Sequence, residues 1–336
     1  MDDGVRRSNS VCMKIFLNKA LPEVGMELLK AAGLELLLPE EEIVSREGWI
    51  AYCKQADVVV GIAAKGFNAA FFEQCPNVKA IALFSVGYDQ VDIVAATERK
   101  VPVSNTPDVL SRATSDVAFL LMQSVSRLAA FNFERVKSGN WPQQFQPTLH
   151  LGQELYGKTL GIFGMGRIGF EMARKCKAAF DMKVIYHNRN RRPDMETGLN
   201  AVYVTFDELL AQSDVLSLHA NYTAASKNLF DAAAFRKMKA NAILVNTARG
   251  GFIREQDLYE ALSSRRIWGA GLDVSDPEPM SSDNPLLSLP NVCVLPHIGS
   301  ATVEARNGMA RLVAENVIAY VKGARMPTAV NVAVYE

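Results

Sequence analysis

The segment from Thr159 to Gly169, TLGIFGMGRIG, constrains the fold of this chain more than any other. A short apolar run meets G-x-G-x-x-G at Gly164, Gly166 and Gly169. A helical pattern, FEMARKCKAAF, follows at once. In that strand–turn–helix order Gly164 allows the tight turn and Gly166 lets a pyrophosphate approach the backbone. Gly169 lets the helix pack close to the strand, and the helix N-terminus faces the anion. The pattern predicts a dinucleotide-binding loop.

A chain of 336 residues is long enough for about two domains. Lys+Arg and Asp+Glu both number 36, so the formal net charge is zero. No global basic field exists to gather nucleic acid or an anionic membrane, and neither partner is expected. The 5 cysteines, Cys12, Cys53, Cys75, Cys176 and Cys293, are scattered, with no C-x-x-C pair and no histidine at ligand spacing. They read as reduced core thiols of a cytoplasmic protein, and no metal is expected. The polar start, MDDGVRRSNSVC, lacks the apolar stretch of a secretory signal and reads as a loose leader before Met13. No apolar run reaches the roughly 18 residues of a membrane span.

From Met13 strand-like and helix-like segments alternate. KIFLN reads as a strand; PEVGMELLKAAG reads as a helix, with Pro22 in its first turn and Gly33 just past its end. The strands DVVVGIA, VKAIALFS and VPVSNT follow. One long helical pattern then runs from near Ser111 to about Lys137, with Val117, Leu120, Leu121, Val125 and Leu128 on its apolar face, and stops at SGNWP. A mixed loop leads into TLGIFG. KVIYHN, DVLSLHA, AILVNTA, AGLDV and NVCVLP are the later strands. Two such series predict an α/β protein of two doubly wound, parallel-sheet, Rossmann-like domains with a cleft between them. The last helix, roughly Thr302 to Lys322, is expected to return to the first domain. The expected division is 1–107 with 300–336 for a discontinuous substrate domain, and 108–299 for the dinucleotide domain.

Past the glycine helix, YHNRNRR places Asn188 where an NAD site carries its ribose-binding acid, with Arg189, Arg191 and Arg192 beside it. No carboxylate there repels a 2′-phosphate, and three guanidiniums can pair with one, which favours NADPH over NADH. Hydride transfer to a carbonyl also needs a cation for the substrate carboxylate and an acid for the carbonyl oxygen. Of the 4 histidines, His150 lies in the irregular loop and His187 beside the ribose position. His297 follows a strand and opens the turn HIGSAT, and His219 ends another strand. Position alone ranks His297 first and His219 second, because ligands of open α/β sheets sit beyond strand carboxyl ends. Arg249 follows a strand, with two glycines suggesting close approach of backbone and ligand. Glu278, held between Pro277 and Pro279, can pair with His297; such a carboxylate favours the charged imidazole and fixes its tautomer.

The segments SVGYDQVD, SNTPDVL, GMGRIG, NTARGG, GLDVSDPEP and PHIGSAT, in this order and spacing, resemble the D-isomer-specific 2-hydroxyacid dehydrogenases over nearly the whole length from Met13. Within that family the chain is most similar to glyoxylate/hydroxypyruvate reductases. The resemblance implies NADPH-dependent reduction of glyoxylate or hydroxypyruvate to a D-2-hydroxy acid. It implies Arg249 as the residue that binds and polarises the keto acid, His297 as the acid–base residue and Glu278 as its partner. The backbone at Val86 and Gly87 would cradle the substrate carboxylate. Thr114 and the loop Gly164, Met165, Gly166, Arg167 and Ile168 would meet the cofactor phosphates. Thr247 and Asp273 would lie near the nicotinamide, and His219, Ala248 and Gly299 complete the cofactor set with Asn188, Arg189 and Arg192. A homodimer through the cofactor domain is implied, involving the long helix and the loop after Trp141; Trp141 and Phe145 suit either pocket or interface.

Three positions depart from the family pattern: Ser275 stands where an aromatic is common, Asn221 where a proline is, and Asp116 where Glu is frequent. Alternative readings are a 2-ketogluconate or other NAD(H)-dependent dehydrogenase of 2-hydroxy acids, a 3-phosphoglycerate dehydrogenase, and a nucleotide-sensing scaffold without turnover. The acid that 3-phosphoglycerate dehydrogenases usually carry is Asn188 here. Formate dehydrogenases of the fold have Gln at the position of Glu278.

Overall fold

Among the described residues, short runs of β-branched and aliphatic residues form twelve strands, all paired in parallel, in two separate sheets of the computed structural model. The structure describes residues 13–40, 45–64 and 66–336; the polar leader and Cys12 lie outside the described residues. The first sheet contains β1 (Lys14–Leu17), β2 (Glu35–Leu37), β3 (Val58–Gly61), β4 (Ala80–Leu83) and β5 (Val103–Ser104), in the order β2-β1-β3-β4-β5. The second contains β6 (Thr159–Phe163), β7 (Lys183–His187), β8 (Val202–Tyr203), β9 (Val215–Leu218), β10 (Ile243–Asn246), β11 (Gly269–Leu272) and β12 (Val292–Val294), in the order β12-β11-β10-β9-β6-β7-β8. β2 and β8, too short to stand out in the sequence, are edge strands. The chain divides into two units, one running to Val109 and resuming at Thr302, the other Leu110–Ala301.

Burial on both faces explains why the central strands read as continuous apolar runs. Every residue of β3, β4, β9, β10 and β11 is buried. Along β10 the side chains alternate between two cores: Leu244 packs with Leu216, Leu218 and Leu272, while Ile243 and Val245 pack with Leu160, Ile162 and Tyr186. In the first unit the helix Val303–Val321 lies on the helix Glu23–Ala31, close enough that a Cβ on Gly25 would meet Ala310 Cβ at 2.9 Å. The tail beyond it is tied to β5, with Asn331 Oδ1 accepting from the Val103 N–H at 2.8 Å.

The single long helix expected from Ser111 to Lys137 is two helices, Ser111–Ser126 and Ala129–Lys137. Leu128 takes a left-handed φ of 51° and turns the chain. The first helix buries Ala118, Leu121, Met122 and Val125; the second buries nothing, so no packing force extends one axis through both. Leu120, expected on the buried face, is 50 % exposed.

Both units close their central strands with the same device. Asp57, just before β3, accepts from the Lys14 N–H at 2.9 Å and from Lys79 Nζ at 2.8 Å. Asp214, just before β9, accepts from the Thr159 N–H at 2.9 Å and from Lys239 Nζ at 3.0 Å. Burial pushes the Asp214 pKa up, but the Thr159 and Lys239 hydrogen bonds outweigh it and hold the carboxyl below its ordinary value of 3.8. A depressed pKa means stabilisation present above the unfolded value and lost as pH falls through the folded one. Asp214→Ala should therefore cost about 1–3 kcal/mol at neutral pH, a deficit that shrinks below pH ~4. Denaturant titrations of both proteins across that range check it, and an equal deficit at every pH would contradict it.

Candidate active site

The three glycines of the β6 turn are required for three different reasons. Gly164 has φ +99°, and a Cβ there would lie 2.3 Å from the Ala220 backbone nitrogen. A Cβ on Gly169 would lie 2.6 Å from Gly164 O, so the helix Arg167–Phe180 packs against the turn itself. A Cβ on Gly166 would meet nothing within 4 Å. Gly166 is also the helix N-cap and makes no side-chain capping bond, so it leaves the first N–H groups facing open space. That is a cradle for an anion. A dinucleotide pyrophosphate fits it, because the one position without a steric need for glycine is the one the phosphates would approach.

Asn188 at the end of β7 does more than lack a charge. Its Oδ1 accepts from the Met165 N–H at 2.6 Å and its Nδ2 donates to Met165 O at 3.3 Å, bracing the glycine loop from the adjacent strand. Met165 is fully buried; Arg167 and Ile168 open the helix, exposed and half-buried respectively. The three nearby guanidiniums are not equivalent. Arg191 makes two hydrogen bonds to Glu196, at 2.8 and 2.9 Å, and Arg192 two to Asp194, at 2.9 and 2.7 Å. Arg189 is exposed and forms no ion pair among the described residues. The expectation of three available cations reduces to one unengaged cation and two that would have to exchange partners.

His219, at the end of β9, sits within 2.8 Å of Ser217 Oγ and 3.4 Å of Thr247 Oγ1. Burial pushes its pKa down to about 3, so the imidazole is neutral and no proton source at physiological pH. His187 is also structural: its Nδ1 lies 2.9 Å from Val204 O, and its ring stacks on Phe163. His150, with φ 50°, sets its ring edge-on to Phe131 in the loop.

His297 differs from all of these. It is exposed, its φ is +53°, and its Nδ1 lies 2.5 Å from Glu278 Oε1. A carboxylate accepts, so Nδ1 carries the hydrogen and Nε2 is left for a substrate. The left-handed turn is held from β11. The buried Asp273 carboxylate accepts from the Ile298 N–H at 2.8 Å and the Gly299 N–H at 2.7 Å. Burial pushes the Asp273 pKa up, against these two hydrogen bonds. Thr114 also borders Gly299, its Cγ2 3.2 Å from where a Cβ would stand. Asp273, Thr114 and Gly299 thus surround the base of the His297 turn.

Arg249 lies half-buried beyond β10, its NH1 donating to Ala248 O at 2.8 Å. The two glycines after it serve the protein rather than a ligand. A Cβ on Gly250 would lie 2.1 Å from the Ser275 carbonyl carbon, and one on Gly251 2.7 Å from Tyr222 Oη. The Arg249 turn therefore locks directly onto the segment that carries Glu278. Asn246, fully buried and not singled out in the sequence, ties the turn from inside: its Nδ2 donates to Arg249 O at 2.8 Å and its Oδ1 accepts from the Ala248 N–H at 3.0 Å. A polar residue ending the apolar strand ILVN was its signal. In the other unit, Val86 and Gly87 form the turn after β4, where Asn105 Nδ2 donates to Val86 O at 2.7 Å.

A glycine cradle, an exposed His–Glu pair and an arginine all lie beyond strand carboxyl ends of one parallel sheet, where ligands of open α/β sheets bind. Residues 119–299 match the family described as D-isomer specific 2-hydroxyacid dehydrogenase, NAD binding domain. A glyoxylate reductase of Korarchaeum cryptofilum is 39% identical over 318 residues, covering 95% of this chain and 96% of that protein. A glyoxylate reductase of Pyrococcus furiosus is 40% identical over 321 residues, covering 95% of each. The structure of a glyoxylate reductase from Paecilomyes thermophila superposes with a TM-score of 0.85 at 35% identity, covering 95% of this chain and 98% of that one. An NADPH-dependent glyoxylate/hydroxypyruvate reductase from Sinorhizobium meliloti, in complex with NADP and malonate, gives 0.82 at 30% identity, covering 95% and 97%. The chain belongs to the D-isomer specific 2-hydroxyacid dehydrogenase family and is an NAD(P)-dependent, glyoxylate reductase-like enzyme.

The glycine geometry separates fold from binding. Gly164→Ala should lower stability by about 2 kcal/mol or more, through the left-handed backbone and the collision with Ala220. Gly166→Ala should cost under about 1 kcal/mol while weakening dinucleotide affinity at least tenfold. Thermal unfolding and nucleotide titration check both; similar losses of stability in the two variants would contradict it.

Proposed function

We propose that this enzyme reduces small 2-keto acids, glyoxylate and hydroxypyruvate first among them, to D-2-hydroxy acids with NADPH. The observation that carries the reading is the 2.5 Å His297–Glu278 contact beside the clamped Arg249 turn. Bound at the glycine cradle, the dinucleotide supplies the hydride. Val86 and Gly87 hold the substrate carboxylate through their backbone. Arg249 orients the keto acid and polarises its carbonyl. His297 delivers the proton from Nε2 to the carbonyl oxygen as negative charge develops there, while Glu278 holds Nδ1 and steadies the imidazolium. Names of the relatives support the substrates, and Asn188 with the exposed Arg189 supports NADPH.

A homodimer through the cofactor domain completes the reading. Phe133, Trp141, Phe145, Leu151 and Tyr156 are all more than half exposed on the stretch after Leu128, and a partner copy would cover them. Sedimentation should give a dimer, and a monomer at micromolar concentration would remove this part.

Loss of nicotinamide absorbance tests the chemistry. Hydroxypyruvate and glyoxylate should both oxidise NADPH rapidly. His297→Gln and Arg249→Ala should each lower kcat/KM by roughly 100-fold or more with the fold intact. Arg189→Ser should lower kcat/KM for NADPH about 10-fold and leave NADH unchanged, the effect of one charge-assisted hydrogen bond. Equal use of both nucleotides by the unsubstituted enzyme would overturn the cofactor preference alone.

A further inference from the structure

Arg306 stands in the second turn of the helix Val303–Val321, half-buried, and its guanidinium makes no hydrogen bond or ion pair among the described residues. Its guanidinium lies 5.7 Å from the centre of the Phe84 ring. Burial pushes its pKa down. A half-buried arginine without an anionic partner is costly, because a charge taken from water needs a counter-charge to repay its hydration. Other half-buried cations do have one: Lys175 pairs with Asp116 at 2.7 Å and Lys239 with Asp214 at 3.0 Å.

Phe84 ends β4 and leads directly into Ser85, Val86 and Gly87. In that turn the carbonyls are tied back: Asn105 Nδ2 donates to Val86 O at 2.7 Å, and Ser85 Oγ donates to Gly87 O at 2.7 Å. The Val86 and Gly87 N–H groups find no acceptor among the described residues. Two unclaimed N–H donors and one unclaimed guanidinium thus lie at one strand end of the same unit. Donors without acceptors, all beyond the carboxyl end of a parallel strand, call for one anion.

We propose that Arg306 is a substrate-binding residue that supplies the positive charge for the carboxylate of the 2-keto acid, beside the Val86 and Gly87 N–H groups. The proposal rests on the reductase reading. Arg306 holds the carboxylate together with the two N–H groups of its own unit. The ligand class is a monocarboxylate carrying an adjacent carbonyl.

Three substitution and substrate combinations test it. Arg306→Met keeps the aliphatic stem and should raise KM for glyoxylate by about 10- to 100-fold, the range of one charge-assisted hydrogen bond, with kcat little changed. Arg306→Lys should recover part of the loss. Methyl glyoxylate, which lacks the carboxylate charge, should be turned over equally by both variants and the unsubstituted enzyme. A glyoxylate KM within about twofold of the original in Arg306→Met, or an equal loss on the methyl ester, would overturn the proposal. Calorimetry of oxamate with the nucleotide-loaded enzyme reads the same contact without turnover. If the unsubstituted enzyme reduces neither keto acid, the reductase reading fails, and oxamate affinity then judges Arg306 alone. Unchanged affinity in Arg306→Met, or no oxamate binding to any form, would overturn it.

Discussion

Parallel pairing of β6, β7, β9, β10, β11 and β12 is the constraint on which the site depends. Because every strand runs the same way, every carboxyl end opens on one edge. The glycine loop, Asn188, His219, Arg249, Glu278 and His297 come from distant parts of the chain, yet each follows such an end. An antiparallel strand anywhere in the series would send one of them to the opposite edge.

Each candidate site loop is held by a polar residue set behind it. Asn188 braces Met165, Asn246 ties the Arg249 turn, Asp273 clamps the turn after His297, and Asn105 fixes Val86. Three of these four are buried, and all four spend their hydrogen bonds on backbone groups of loops. A loop has no ladder to fix its conformation, so side-chain bonds from the rigid strand ends do that work. The left-handed φ of His297 survives because Asp273 holds the next two N–H groups.

The two histidines beyond strand ends show how environment assigns chemistry. His219 lies half-buried against Ser217 and Thr247, and desolvation holds its pKa low, so it stays neutral. His297 is exposed and turns its Nδ1 to the Glu278 carboxylate. Position alone ranked the two; burial and the Glu278 partner separate them.

Much of this was legible in the chain itself. Apolar runs of four or five residues between turn signals located the central strands, and the glycine spacing located the tight turn after β6, because covering a strand on both faces and turning a backbone tightly leave local marks. The long helix was misread, since apolar spacing continues past Leu128 while the packing that would need it does not. The glycines after Arg249 looked like room for a ligand and are room for Ser275 and Tyr222, contacts made by residues far along the chain. Pairing decided the charges too: YHNRNRR holds three arginines, and only the folded chain brings Glu196 to Arg191 and leaves the Arg306 guanidinium without an ion pair among the described residues. Local sequence determines backbone conformation and apolar periodicity through sterics and burial. Which charge meets which, and which is left over, depends on the backbone path that brings side chains together, and only the folded structure decides it.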